Sequence, residues 1–358
     1  MRDLTRRVYV GSVPVGGGAE VSVQSMTKTD TRDSEATLEQ IRALARAGCE
    51  IVRVAVPDEE AASVLPRICA GSSIPVVADI HFNYKLALLA IEAGVAKLRI
   101  NPGNIGGPAH VREVAACAEA HGVPIRIGVN AGSLERDLLE KHGRGPEAMV
   151  ESAMRHVAML ERVGFQSIVI SLKASDVRRT VEAYRLIASR APYPLHVGVT
   201  EAGPPPGGLV KSATGIGIIL AAGIGDTIRV SLTGDPLAEV TAGKQILESL
   251  ELRSYGPIIV SCPTCGRCRS DVIGIAREIA EAVSDIKWPL TIAVMGCEVN
   301  GPGEASDADL GVACGNGVGL LFAGGRPVRK VPESQIIAAI TEAAREAARG
   351  AARERAQE

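Results

Sequence analysis

Five of the eight cysteines in this 358-residue chain, Cys262, Cys265, Cys268, Cys297 and Cys314, crowd into 53 positions, while Cys49, Cys69 and Cys117 stand alone. Cys262-Pro263-Thr264-Cys265 has the spacing that lets two thiolates hold one metal or cluster, and Gly266 behind it permits a tight turn. Cys297 closes an apolar run, within the string Gly296-Cys297-Glu298-Val299-Asn300-Gly301-Pro302-Gly303-Glu304. Isolated core cysteines would explain any one of these residues but not three in loops. A Cys-x-x-Cys redox couple wants a thioredoxin-like unit around it, and none is legible. Zinc is a rival because two-plus-two thiolate sites are common, yet the second loop offers one cysteine rather than a pair. An iron–sulfur cluster fits the pattern best.

Spacing leaves the fourth ligand open. Cys268 extends the first loop to Cys-x-x-Cys-x-x-Cys, and Cys314 falls in another Gly-rich turn. Either would complete a four-thiolate cluster suited to electron transfer. Glu304, seven residues after Cys297, would instead give one iron a harder, more exchangeable ligand, able to yield to a substrate oxygen.

A second pattern lies upstream. Arg53, Arg99, Arg126 and Arg229 each sit inside an apolar run; Ala55, Asn101, Gly128 and Ser231, two residues on, share their face by strand alternation, as does Asn130. Lys173 comes late in a similar run. The acids that could pair with these five cations are Asp79 and Glu201. Internal salt bridges are the plain alternative, but they leave an excess of cations, and unpartnered buried charge is costly. An anionic ligand is therefore expected. Arg suits phosphate through its planar fork, and several Arg converging on one mouth suggest a diphosphate. The loop Asn101-Pro102-Gly103-Asn104-Ile105-Gly106-Gly107 could add backbone N–H donors. His81 reads as a proton donor or a cap, His196 as a satisfied core residue, and His110, His121, His142 and His156 as loop or helix-surface positions. Glu201, facing the same mouth, is the candidate protonating acid.

Such groups meet only if many strands end together. β-branched runs at 19–27, 49–57, 74–82, 96–102, 123–130, 167–174, 194–201 and 227–232 are each followed by an amphipathic Ala/Leu-rich stretch, for example 34–47, 84–93, 147–163 and 235–250. Eight β-then-α units predict an α/β fold, a (β/α)8 TIM barrel over 1–250 that binds substrate at the C-terminal ends of its strands. A doubly wound open sheet alternates too, but the composition changes after the eighth unit. Residues 7–18 predict a small hairpin with a Gly-rich turn. Residues 251–358 then predict a small α+β iron–sulfur domain. It comprises the cysteine loop, a helix at 271–286, a strand at 290–295, a second loop, a hairpin at 311–331 and a terminal helix from 333 that frays beyond 349.

The formal net charge of −2 and aromatic content of 3% speak against nucleic acid as a partner. No apolar run approaches the roughly 20 residues that span a bilayer. The N-terminal segment has charge but no apolar h-region, so no signal peptide is expected and the compartment is read as cytoplasmic and reducing.

Taken together, the motifs resemble the bacterial two-domain 4-hydroxy-3-methylbut-2-enyl diphosphate synthase family from about residue 7 to residue 332. The strings that carry the likeness are Val23-Gln24-Ser25-Met26-Thr27, Ala78-Asp79-Ile80-His81-Phe82, Leu98-Arg99-Ile100-Asn101-Pro102-Gly103-Asn104-Ile105-Gly106 and Arg126-Ile127-Gly128-Val129-Asn130-Ala131-Gly132-Ser133-Leu134. Further on come Lys173-Ala174-Ser175-Asp176, Thr200-Glu201-Ala202-Gly203 and both cysteine loops. The resemblance implies a [4Fe–4S] cluster on Cys262, Cys265, Cys297 and Glu304, with Cys268 outside the family pattern. It implies reductive opening of the small-molecule cyclic diphosphate 2-C-methyl-D-erythritol 2,4-cyclodiphosphate, and electrons from a flavodoxin or ferredoxin. The alternative is a non-redox barrel enzyme, of a pterin-condensing or phosphate-lyase type, with a zinc or structural cluster cap. The eighth helix should run from the mouth back to the barrel floor, about 24 Å away. A short linker there predicts a head-to-tail homodimer in which each chain's cluster serves the other's barrel, and the resemblance implies the same arrangement.

Overall fold

The computed structural model describes residues 2–101, 103–132, 134–297 and 301–355. Pro102, Ser133 and Glu298-Val299-Asn300, which belong to the motifs above, lie outside the described residues, as do positions 356–358. The chain divides into two compact units, Met1–Arg253 and Ser254–Glu358.

The first unit opens with a hairpin of β1 (Val8–Val10) and β2 (Val13–Val15). Its turn is built on Gly11, at φ +58°, whereas Gly16, Gly17 and Gly18 follow the second strand instead of joining the two. Eight parallel strands follow: β3 (Ser22–Met26), β4 (Ile51–Ala55), β5 (Val76–Asp79), β6 (Lys97–Ile100), β7 (Ile125–Asn130), β8 (Ile168–Lys173), β9 (His196–Val197) and β10 (Thr227–Ile228). Their order is β8-β7-β6-β5-β4-β3-β10-β9, and a parallel bridge from Ile170 to Leu195 joins the two ends, closing a TIM barrel. All eight strands fall within the runs expected from sequence, though β9 and β10 keep only two ladder residues each. The β1–β2 hairpin plugs the floor: Val8, Val10 and Val15 pack on Ile51, Val77 and Val169.

Polar caps turn the chain from strand to helix at the mouth. Asp33 accepts from Ala36 N, Asn83 from Lys85 N, Asp176 from Arg179 N and Asp235 from Leu237 N. The last barrel helix, Pro236–Ser249, brings the chain back to the floor, where Arg253 pairs with Glu20 and Glu50 and donates to Val21 O.

The second unit is α+β. Its sheet comprises β11 (Ile258–Ser261), β12 (Thr291–Met295), β13 (Leu310–Gly315), β14 (Val318–Ala323) and β15 (Arg326–Pro332) in that order, the first three parallel and the rest antiparallel. Helices Val272–Ala282 and Ile336–Arg355 pack their apolar stripes on one face, where Ile279, Ile292, Val312, Ile336 and Ala344 are fully enclosed or nearly so. Two elements escaped the sequence reading: β11 itself, and the short helix Gly301–Ser306 inside the second loop. The terminal helix does not end near 349 but continues to Arg355.

Candidate active site

Alternation along the barrel strands turns one side chain in two toward the lumen, and there the cations meet. A cavity of about 180 Å³ is lined by Arg53, Arg99, Arg126, Lys173 and Arg229. Asp79, His81, Asn130 and Ser231 complete the predicted part of its wall, and Ser171 and Thr200 join them. Two lumen-facing glycines make the room. A Cβ on Gly128 would lie 2.5 Å from Arg99 Nε, and one on Gly198 would meet Arg229 O and sit 2.8 Å from Lys173 Nζ.

The carboxylates do not balance these charges. Asp79 accepts from Arg99 Nη1 at 3.2 Å and lies 3.7 Å from Arg53 Nε and 3.8 Å from His81 Nε2. Burial pushes the Asp79 carboxyl up, but Arg53, the His81 contact, Arg99 and Arg126 override it and hold the group far below the ordinary carboxylate range. Glu239, on helix Pro236–Ser249, is 3.7 Å from Arg229 Nη2 and also accepts from Leu232 N. Arg126 is 1% exposed; its Nη1 donates to Ser171 Oγ at 2.6 Å, while Nε and Nη2 have no hydrogen-bond partner among the described residues. Arg99 Nε and Arg229 Nε are likewise unpartnered. Burial first, then mutual repulsion, lowers Arg126 and Lys173 well below their ordinary values; burial also pushes Arg53 down to about 10. Buried N–H donors that point at a cavity without acceptors are what an anion site presents before its ligand arrives.

Several sequence expectations need correction. Glu201 is not a countercharge of the ring: it is exposed, takes part in no ion pair among the described residues, and lines a second cavity of about 320 Å³ with Arg144, Arg179 and Lys173. The buried partner is Glu239, which a helical position among polar neighbours does not advertise. Asn101 is buried beyond the end of β6, its Oδ1 unpartnered, but it does not line the lumen cavity. His196 is buried as expected yet not satisfied, since neither ring nitrogen has a partner among the described residues. His156 is also buried, 2% exposed, with Nε2 3.3 Å from Glu135. Lys97 was missed although the same period-two step that links Arg99 to Asn101 leads back to it; it is fully enclosed, with Nζ donating to Gln24 Oε1 at 3.3 Å.

In the second unit, β11 and β12 run parallel with Ser261 opposite Val294, so both cysteine loops open at one end of the sheet. Gly296 N donates to Cys262 Sγ at 3.3 Å. A Cβ on Gly296 would lie 2.5 Å from Cys268 Sγ and 3.4 Å from Cys262 Sγ, so this glycine keeps open the space between the loops. Hydrogen bonds from the Arg267 backbone and side chain hold the Cys265 thiol below its usual range, and Arg267 in turn feels the charges of Cys265, Cys297 and Glu304. Among the described residues no three metal-binding side chains are closed around one point. Cys268 Sγ also borders the space beside Gly296 and donates to Ser270 O at 3.2 Å. Cys314 lies within β13 and not in a turn; it is fully buried, and burial pushes its thiol up to about 11.

Residues 5–244 match the GcpE TIM-barrel domain and residues 258–346 match the GcpE protein C-terminal domain. The chain belongs to the GcpE family. One family relative is the 4-hydroxy-3-methylbut-2-en-1-yl diphosphate synthase (flavodoxin) of Geobacter sulfurreducens, 60% identical over 341 residues, covering 95% of this chain and 97% of that protein. The enzyme of the same name from Thermodesulfovibrio yellowstonii is 56% identical over 345 residues, 96% of this chain and 99% of that protein. Among solved structures, dihydropteroate synthase from Stenotrophomonas maltophilia aligns with a TM-score of 0.50 at 13% identity, over 69% of this chain and 98% of that one. The truncated 3-deoxy-D-arabino-heptulosonate 7-phosphate synthase of Thermotoga maritima aligns at the same TM-score and 14% identity, over 69% and 93% of the two chains. At such identities these two likenesses show the barrel fold alone. No described helix of this GcpE-family chain is long and apolar enough to cross a membrane.

Proposed function

We propose that this chain catalyses reductive ring opening and dehydration of 2-C-methyl-D-erythritol 2,4-cyclodiphosphate to 4-hydroxy-3-methylbut-2-enyl diphosphate, a step of isoprenoid biosynthesis in the cytoplasm. The observation that carries this reading is the ring of five lumen cations with unpartnered N–H groups on Arg99, Arg126 and Arg229. A diphosphate supplies the missing acceptors. Arg53, Arg99, Arg126, Lys173 and Arg229 bind its charge; His81, Asn130 and Ser231 supply polar contacts, and Asp79 holds Arg53 and Arg99 in place. The same cations stabilise negative charge growing on the phosphate oxygen as the ring C–O bond breaks.

Two electrons and a proton convert the cyclic substrate to the linear product and water, so an electron source is required. The chemistry of the donor set supports a [4Fe–4S] cluster on Cys262, Cys265, Cys297 and Glu304, with the barrel unit binding substrate and the C-terminal unit holding the cluster. A cluster held there would supply one-electron transfer from an external donor, here a flavodoxin in keeping with the names of the relatives. Glu304 would contribute a carboxylate to the donor set, a harder and more exchangeable ligand than a thiolate. Glu201, on the wall of the neighbouring cavity, supplies the proton.

A head-to-tail dimer is part of this reading. Arg253, tied to Glu20, Glu50 and Val21 O, fixes the chain at the barrel floor, opposite the mouth, just before the second unit begins. The test is turnover of the cyclic diphosphate by anaerobically prepared protein with a strong one-electron reductant. Formation of the linear allylic diphosphate is expected, together with broad visible absorption from the cluster. Colourless, zinc-loaded protein without this activity would sink the proposal.

A further inference from the structure

The second cavity, about 320 Å³, adjoins the first and shares Asn130, Lys173 and Thr200 with it. Its wall carries three cations, Arg144, Lys173 and Arg179, against the single carboxylate of Glu201. Neither the Arg144 nor the Arg179 guanidinium has an ion-pair or hydrogen-bond partner among the described residues. Lys173 is 7% exposed, lines both cavities and pairs with no carboxylate among the described residues; its Nζ fits beside Gly198, where a Cβ would lie 2.8 Å from it. Arg179 is placed by its helix start, where its backbone N–H donates to the Asp176 cap at 2.7 Å. Glu201 is exposed.

This arrangement is more than the cyclic substrate needs. The lumen cavity already holds cations enough for a ring in which each phosphorus carries one ionisable oxygen. Opening the ring changes the ligand in two ways. One phosphorus becomes terminal and gains a second ionisable oxygen, with a pKa near 6, and the molecule becomes longer and more negative. A second set of cations beside the first is placed to receive that new group. Resting on the reaction proposed above, we propose that Arg144, Arg179 and Lys173 form an outer anion subsite that takes the terminal phosphate of the linear diphosphate product in preference to the cyclic substrate.

The test is equilibrium binding to the anaerobically prepared full chain, wild type and Arg144→Ala/Arg179→Ala, with three probes: cyclic diphosphate, linear allylic diphosphate and inorganic diphosphate. Both arginines lie at the surface, so the double variant keeps its fold. Loss of two charge-assisted contacts should weaken the linear ligand by about tenfold or more, and the cyclic one by less than about threefold. Product inhibition should ease by the same factor while KM for the cyclic substrate stays in place. Inorganic diphosphate should follow the linear ligand, because the terminal phosphate is the group recognised. Equal losses for cyclic and linear ligands would reduce the arginines to a general attractive field and overturn the subsite, as would an unchanged linear affinity. If wild-type protein binds neither organic diphosphate, the reaction itself is wrong and the subsite falls with it. Normal cyclic binding with an unmoved linear affinity sinks the subsite alone.

Discussion

Lys97 is sealed inside the barrel, and no carboxylate pairs with it among the described residues. It is 0% exposed, its one hydrogen bond goes to Gln24, and the charged groups nearest to it are Arg126 and Arg53. Burial first, and then those two guanidiniums, lower it well below the ordinary lysine value. In the unfolded chain the same lysine holds its proton up to about pH 10.4. The unfolded state therefore binds more protons than the native state between the depressed native value and that limit, and stability rises with pH across this window. Lys97→Met should abolish that dependence. It should be more stable than wild type at pH 7, and the advantage should shrink by about 1.4 kcal/mol for each pH unit of increase within the window. Denaturant melts at several pH values measure this directly; parallel pH profiles for the two proteins would show Lys97 to be charged in the native state.

At the scale of elements, the helix Pro236–Ser249 does more than cover β10. From its first turn it sends Glu239, 2% exposed, back into the barrel, where it accepts from Ser25 Oγ at 3.3 Å and Leu232 N at 3.1 Å and lies 3.2 Å from Lys28 Nζ and 3.7 Å from Arg229 Nη2. One carboxylate thus ties the ends of β3 and β10 together and fixes one cation of the substrate ring. Glu239→Gln leaves Arg229 without its countercharge. We expect a loss on the order of 3 kcal/mol, at the low end for a broken buried pair because Lys28 is about a third exposed. A loss of cyclic diphosphate affinity should accompany it as Arg229 shifts; an unchanged melting curve with normal affinity would remove this role. The same residue shows where sequence reading stops. The Arg-x-small pattern of Arg53, Arg99, Arg126 and Arg229 was legible because strand alternation fixes which side chains share a face. Glu239, Arg144 and Arg179 were not, because they reach the mouth from helices and loops whose direction depends on packing against the whole barrel. Glu201 was read as a countercharge for the same reason: it lies in the loop after β9 and lines the adjoining cavity instead. In the second unit, Cys-x-x-Cys spacing marked the loop, but whether Cys268 faces Cys262 or Ser270 is settled only by the turn that follows.

At the scale of the molecule, the proposed division of labour puts the diphosphate ring in one unit and the donor set in the other, and the route of the chain bears on which barrel each donor set serves. The barrel mouth lies at the C-terminal ends of the strands. Arg253 is held at the other end by Glu20, Glu50 and Val21 O, and β11 begins at Ile258. In the proposed twofold head-to-tail dimer each C-terminal unit serves the partner's mouth. Complementation separates the two arrangements. Arg126→Ala removes a lumen donor and Glu304→Ala removes a proposed cluster ligand, so each variant alone should lose most turnover. Mixed under conditions that allow subunit exchange, they form heterodimers in which one mouth has an intact barrel facing an intact donor set. Activity should then rise well above either parent, toward a quarter of wild type if half the chains sit in heterodimers and one of the two mouths in each is whole. If heterodimers form, as shown by differently tagged chains, and no activity returns, the donor set serves its own barrel. A fully active monomer would lead to the same conclusion.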